Sequence, residues 1–341
     1  MQRCLKLAEQ GRGQTAPNPM VGCVVVHKGK IIGEGFHRKY GEAHAEVNAI
    51  AAVKDPKMLT ESTLYVSLEP CSHFGKTPPC ADLIVSHHIP MVVIGCIDTF
   101  SLVQGRGIEK LIRAGIDVKT GILEKECREL NKRFFTFHEK KRPYIILKWA
   151  ETADGFMDTL RQPEAPALSI SSPESLKLLH TWRSLEQAIL VGTGTALLDN
   201  PRLTVRNVTG NNPIRVVLDA SHKIPNHFHL KDGSTPTVVY ANHPLKGKDN
   251  LEYAALDFSS PETTLKSLLD DLYRRNIQSL LVEGGATLLS SFLKLALWDE
   301  LRIFKADFSC GQGIAAPIKP ELPVTLQQSG KDQLLLYRKA L

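Results

Sequence analysis

One histidine and two cysteines stand at spacings that suit a metal ion. His44 lies in His44-Ala45-Glu46, and Cys71 and Cys80 bracket the segment Pro70-Cys71-Ser72-His73-Phe74-Gly75-Lys76-Thr77-Pro78-Pro79-Cys80. One imidazole and two thiolates fit a borderline-soft ion such as Zn²⁺, and they leave a fourth tetrahedral position open to water, the arrangement of a catalytic site. Glu46 stands close enough to His44 to reach that water without being a ligand. Its carboxylate is the candidate to take a proton there and deliver it to a leaving amine. His73, inside the loop, is an alternative fourth ligand that would make the site structural; otherwise it faces substrate.

Three further residues of the first half carry polar chemistry. Pro17-Asn18-Pro19 fixes the backbone enough to aim the Asn18 amide at the edge of a heterocyclic base, unless it is an ordinary turn. Lys76 in the metal loop suits an anionic ligand. Asp98 follows a strand and can meet a hydroxyl or an amine at the carboxyl edge of a sheet. Cys4, Cys23, Cys96 and Cys127 fall in apolar helical or strand patterns and read as core residues, while Cys310 has no pattern that places it.

The elements that position these groups follow from patterning. The chain has 341 residues, 43% hydrophobic and 23% charged, enough for two globular domains. Residues 1–137 alternate β-branched runs with amphipathic stretches, an α/β layer pattern. A hairpin is expected across His27-Lys28-Gly29, strands at 63–66 and 90–95, and helices at 44–53, 80–88, 108–113 and 123–137. His138-Glu139-Lys140-Lys141-Arg142-Pro143 reads as a connector, giving domains 1–138 and 144–341. Beyond it, strands are expected at 144–149, 213–219, 237–240, 279–282 and 301–304. A helix is expected over 173–185 with serines for its cap, so the second half is α/β as well.

No apolar run reaches the roughly 18 residues of a membrane span, and the N-terminal stretch is interrupted by charges, so a cytoplasmic protein without membrane partners is expected. Seven cysteines spread over a long chain are not a disulfide framework. A net charge of +6 without a basic, aromatic-rich stretch argues against a nucleic-acid partner and fits phosphorylated small molecules.

The His-x-Glu and Pro-Cys pattern resembles the zinc-dependent cytidine-deaminase superfamily, with a longer metal loop than its compact form. Together with Pro17-Asn18-Pro19 it is similar to the deaminase half of the bifunctional riboflavin-biosynthesis deaminase-reductases. In the second half, Lys148-Trp149-Ala150-x-Thr152-x-Asp154-Gly155, the stretch from Ala188 to Arg206, and Val282-Glu283-Gly284-Gly285 resemble that family's reductase domain. The resemblance implies a cytidine-deaminase-like α/β/α layer domain followed by a dihydrofolate-reductase-like α/β domain. It implies zinc-dependent deamination of a phosphoribosylated diaminopyrimidinone, then NADPH-dependent reduction of ribosyl to ribityl, in a homodimer or homotetramer.

Position by position, the resemblance implies cofactor contacts at Ala150, Ser169, Thr195, Asp199, Ala220 and the run Gly285, Ala286, Thr287, Leu288, Leu289, Ser290 and Ser291. It implies substrate contacts at Arg183, Leu203, Arg206 and Glu283. The run is physically apt: strand, glycine turn and helix start present unpaired N–H groups to a cofactor phosphate. Arg183 and Arg206 suit phosphate oxygens, or lie solvated on the surface, and Glu283 suits substrate hydroxyls. Two segments depart from the family pattern: Asp98-Thr99-Phe100-Ser101, where Phe100 replaces an asparagine, and Ala167-Leu168-Ser169-Ile170. The first motivates a rival reading in which only one half is active. A nucleic-acid or nucleoside deaminase with an accessory domain is the other rival.

Overall fold

A computed structural model describes residues 1–72, 78–99, 104–162 and 165–339. The chain divides into two compact units, Met1–Lys141 and a second that begins at Arg142.

The first unit runs α1 (Gln2–Ala8), β1 (Gly22–His27), β2 (Lys30–Phe36), α2 (Ala45–Ala51), β3 (Ser62–Leu68), α3 (Cys80–Ser86), β4 (Met91–Cys96), α4 (Arg106–Arg113), β5 (Asp117–Lys119), α5 (Glu124–Leu130) and α6 (Lys132–Lys140). Its sheet has the order β2-β1-β3-β4-β5. Strand β1 is antiparallel to both β2 and β3, whereas β3, β4 and β5 are parallel. The expected hairpin is present: Lys28 (φ 47°) and Gly29 (φ 77°) both take positive φ, the backbone that a two-residue turn between twisted strands requires. Alternation along β1 puts Cys23 and Val25 against Ala45, Ala49 and Ile84 on one face and Val24 against Cys4 and Leu7 on the other. The sheet therefore lies between two helical layers.

The helix expected over 123–137 is two helices, broken at Asn131. That side chain accepts from the Met20 N–H and donates to the Met20 carbonyl, each at 2.8 Å. These two bonds to a distant loop hold Asn131 at the break, and nothing in the local sequence signals them.

The second unit runs β6 (Tyr144–Glu151), β7 (Phe156–Asp158), α7 (Pro173–Leu185), β8 (Ala188–Gly192), α8 (Thr193–Asp199), β9 (Ile214–Leu218), β10 (Thr237–Ala241), β11 (Leu251–Ala255), α9 (Pro261–Arg274), β12 (Ser279–Val282), α10 (Ala286–Lys294), β13 (Glu300–Lys305), β14 (Ile314–Ala315), β15 (Val324–Ser329) and β16 (Asp332–Arg338). Its large sheet has the order β11-β10-β9-β8-β12-β6-β13-β16-β15. Pairing is parallel from β11 to β13 and antiparallel for the last two strands. Helix α7 has the expected serine cap, Ser172, whose hydroxyl accepts from the Ser175 N–H. Ile145, Leu147 and Trp149 of β6 pack with Leu268 and Leu272 of α9 and Phe292 of α10, while Tyr144 and Ile146 join Val191, Leu203 and Val217 on the opposite face. The β15–β16 hairpin was not anticipated, because Val324-Thr325-Leu326-Gln327-Gln328-Ser329 alternates only weakly.

Candidate functional site

In the first unit, two helix starts and one strand end converge. His44 is the N-cap of α2, Glu46 lies in its first turn, Cys80 opens α3, and Cys71 follows β3. Glycines in β2 let α2 approach: a Cβ on Gly35 would lie 2.4 Å from the Ala49 nitrogen. His44 Nδ1 is 3.5 Å from Cys71 Sγ and 3.3 Å from Cys80 Sγ, and the Cys80 N–H donates to Cys71 Sγ at 3.3 Å. The ligand atoms of the three residues all lie within 4.8 Å of one another. Two thiols and one imidazole at that separation fit zinc.

The electrostatics agree with that use. Hydrogen bonds from Cys80 and then His44 hold the Cys71 thiol well below its ordinary range against the opposing effect of burial. The bond to Cys71 raises His44. Glu46 is 3% exposed, and burial first, then Cys71, pushes its carboxyl up to about 7. A carboxyl tuned near neutrality can both accept and return a proton.

Asn18 lies beside this centre through a residue the sequence reading missed. Its Nδ2 is 3.2 Å from His37 Nε2, His37 Nδ1 is 3.1 Å from the Ala43 carbonyl, and the His37 ring meets that of His44 edge-on at 5.3 Å. A carbonyl only accepts, so Nδ1 carries the hydrogen and Nε2 accepts from the Asn18 amide. Burial lowers His37 and keeps it neutral. Asp98 is buried at the end of β4. Lys76, His73 and Phe100 lie outside the described residues. Cys4, Cys23, Cys96 and Cys127 are buried as expected, and Cys310 is half-buried with its thiol 3.5 Å from the Gln312 carbonyl.

In the second unit, Ala150, Thr195, Ala220 and Gly285 stand at or just beyond the carboxyl ends of β6, β8, β9 and β12, the edge where open α/β sheets bind ligands, and Ala286 to Ser291 continue from Gly285 into α10. Gly285 is the N-cap of α10 and offers no side-chain cap, so the first-turn N–H groups are left for an anion. A Cβ on Gly285 would come 3.1 Å from Thr195 Oγ1, which brings those two positions together. The uncapped turn fits a cofactor phosphate.

The remaining positions are less simple than the sequence implied. Arg183 is not a free phosphate ligand: its Nε and Nη2 donate to the two Glu283 oxygens at 2.8 and 2.7 Å, and Nη1 donates to the Thr204 carbonyl. Arg206 is exposed, its backbone N–H bonded to His180 Nδ1. The Leu203 side chain is buried in the core, which leaves its backbone as the part available to a ligand. Asp199 is ion-paired with Arg161, and Ser169 is exposed between β7 and α7. Two cations went unremarked in the sequence. Arg161 also bonds Asp158 and the Ala165 and Leu198 carbonyls. Lys148, inside a quoted motif, holds its ammonium 5.6 Å from the Phe304 ring centre, and burial lowers it while Glu283 pulls the other way.

Comparison with known proteins agrees with both halves. Residues 143–330 match the RibD C-terminal domain, and residues 1–96 match the cytidine and deoxycytidylate deaminase zinc-binding region. The riboflavin biosynthesis protein RibD of Aquifex aeolicus is 41% identical over 318 residues, covering 92% of this chain and 88% of that protein. The chain belongs to the RibD family. Its Escherichia coli relative is 35% identical over 321 residues, 90% of this chain and 86% of the relative. A Thermotoga maritima structure, described as a diaminohydroxyphosphoribosylaminopyrimidine deaminase and 5-amino-6-(5-phosphoribosylamino)uracil reductase, superposes with a TM-score of 0.89 at 36% identity. It covers 100% of this chain and 97% of that one. The fold is thus a cytidine-deaminase-like domain followed by a RibD reductase domain. The chain is a bifunctional deaminase and reductase of riboflavin biosynthesis that uses zinc and NADPH.

Proposed function

We propose that the first unit hydrolyses the ring amine of 2,5-diamino-6-(5-phosphoribosylamino)pyrimidin-4(3H)-one. The second then reduces the ribosyl group of the resulting 5-amino-6-(5-phosphoribosylamino)uracil to ribityl. The observation that carries the first step is the triad of His44, Cys71 and Cys80, with ligand atoms within 4.8 Å, beside buried Glu46. These three residues would hold zinc, which would supply a Lewis acid that lowers the pKa of a water. Glu46 takes the water's proton and returns it to the departing amine, which leaves as ammonia. Asn18, its Nδ2 engaged by His37, presents its carbonyl oxygen to a donor on the pyrimidine edge. Asp98 meets a substrate hydroxyl or amine, and Lys76 meets the phosphate.

In the second unit NADPH supplies the hydride, so the protein's part is placement. Gly285, Ala286, Thr287, Leu288, Leu289, Ser290 and Ser291 hold a cofactor phosphate at the start of α10, with Ala150, Ser169, Thr195, Asp199 and Ala220 around the cofactor. Arg206 and the backbone at Leu203 face the substrate, and the Arg183–Glu283 pair presents a fixed carboxylate to its hydroxyls. Among the described residues no helix is long and apolar enough to cross a membrane. A cytoplasmic homodimer or homotetramer acting on phosphorylated small molecules fits this reading.

Glu46→Ala tests it. Ammonia release should fall by about 10²–10⁴-fold, while bound zinc and NADPH oxidation with the deaminated intermediate stay unchanged. Loss of both activities together would contradict two separate sites.

A further inference from the structure

The carboxylate of Glu69 takes part in no step above, yet it organises the segment beside the metal centre. Glu69 follows β3, precedes Pro70-Cys71, and is 4% exposed. Its oxygens accept four backbone N–H groups. Oε2 accepts from Asp98 at 3.3 Å and Gly105 at 3.0 Å, and Oε1 accepts from Gly107 at 3.0 Å and Ile108 at 3.3 Å. Gly107 and Ile108 lie in the first turn of α4, whose N-cap Gly105 has no side chain to satisfy them. Glu69 caps that helix from another element.

A second contact closes the same assembly. A Cβ on Gly107 would lie 2.0 Å from the Pro70 carbonyl oxygen, so the start of α4 is pressed against the peptide that leads into Cys71. One carboxylate thereby ties together the approach to a zinc ligand, the start of α4 and the backbone of Asp98. An ionised carboxylate offers about four lone-pair sites, and the four amides occupy them. Glutamine has the same shape but would turn an NH₂ group toward two N–H donors.

We infer that Glu69 is a positioning residue for deamination, holding Asp98 where the substrate meets it. This rests on the assignment of Asp98 to the substrate. The test uses the full-length, zinc-loaded protein and compares Glu69→Gln, Glu69→Asp and Asp98→Asn. Readouts are ammonia-release kinetics, zinc content, reductase activity on the deaminated intermediate, and hydrogen exchange of the Gly105, Gly107 and Ile108 amides. Glu69→Gln should keep its zinc and reductase activity, raise KM for deamination about 10–100-fold with a smaller change in kcat, and speed exchange at the three amides. Glu69→Asp should recover part of the KM.

An unchanged KM in Glu69→Gln, with KM raised in Asp98→Asn, overturns the inference. So does activity lost only in proportion to zinc. An unchanged KM in Asp98→Asn instead removes the assignment of Asp98, and amide exchange alone then decides whether Glu69 holds the segment. Should Glu69→Gln fail to fold, Glu69→Asp decides: a raised KM with faster amides supports the inference, and wild-type values overturn it.

Discussion

Arg183 and Glu283 bring opposite charges into a position where their side chains are only 10% and 9% exposed. Removing one partner of such a pair strands the other, at a cost of about 3–5 kcal/mol. Arg183→Gln should therefore lower the stability of the second unit by about that amount, and adding Glu283→Gln should recover part of it. Denaturant melts of the single and double variants check this; strict additivity would contradict it. The pair also predicts an acid response. Burial alone would raise the Glu283 carboxyl, but Arg183 and Lys148 pull it below its ordinary value. With the folded pKa below the unfolded value of about 4.3, the stabilisation is complete above that value and is lost as pH falls through the folded one. Melts across acidic pH should show this loss, and Glu283→Gln should flatten it. Arg183 reads from sequence as a phosphate ligand or a solvated surface arginine because a lone arginine advertises charge, whereas its partner Glu283 stands far along the chain. By contrast the zinc set was legible from spacing and ligand chemistry together. Glu69 and His37 were not, because Glu69 works through backbone groups and His37 joins the Asn18 side chain to the Ala43 carbonyl, contacts that no motif records.

Strand β2 shows how an element, rather than a residue, sets the geometry of the metal centre. Gly33 and Gly35 face α2, where added Cβ atoms would lie 2.3 Å from the Ala49 oxygen and 2.4 Å from the Ala49 nitrogen. Gly35→Ala must push α2 outward, at a cost of about 1–3 kcal/mol. Since His44 and Glu46 ride on that helix, the variant should bind zinc more weakly and release ammonia more slowly, with reductase activity unaffected. Zinc titration followed by the two assays measures each effect. Elements with strong local signals were readable in advance. The β1–β2 hairpin carried its turn residues, and α7 carried its serine cap and proline. The break at Asn131 was not readable, because the Met20 backbone that draws its side chain away from the helix is brought near only by the fold. The weakly alternating β15 was missed for a related reason: with five of its six residues exposed, little hydrophobic pattern remained.

Each half of the molecule has its own sheet and its own core, which makes the two activities separable by perturbation. Chelation should abolish ammonia release and lower the stability of the first unit, because metal binding to a folded site is also folding free energy. NADPH oxidation with the deaminated intermediate should persist. Calorimetry with and without chelator, beside the two assays, checks this; a uniform loss would contradict it. The charged stretch from His138 to Pro143 reads as a connector in the sequence, but its first three residues belong to α6, and only Lys141, Arg142 and Pro143 stand between α6 and β6. The order of strands within the second sheet was not legible, because it depends on pairings between distant segments. That order has a consequence in time. Strand β6 is flanked only by β12 and β13, yet β12 begins at Ser279. At about 5–20 residues per second of synthesis, Tyr144-Ile145-Ile146-Leu147 waits on the order of ten seconds for its first neighbour. During that interval the future centre of the sheet is an open, greasy segment on a nascent chain, so yield in a cell should depend on chaperone supply far more than the finished enzyme's stability suggests.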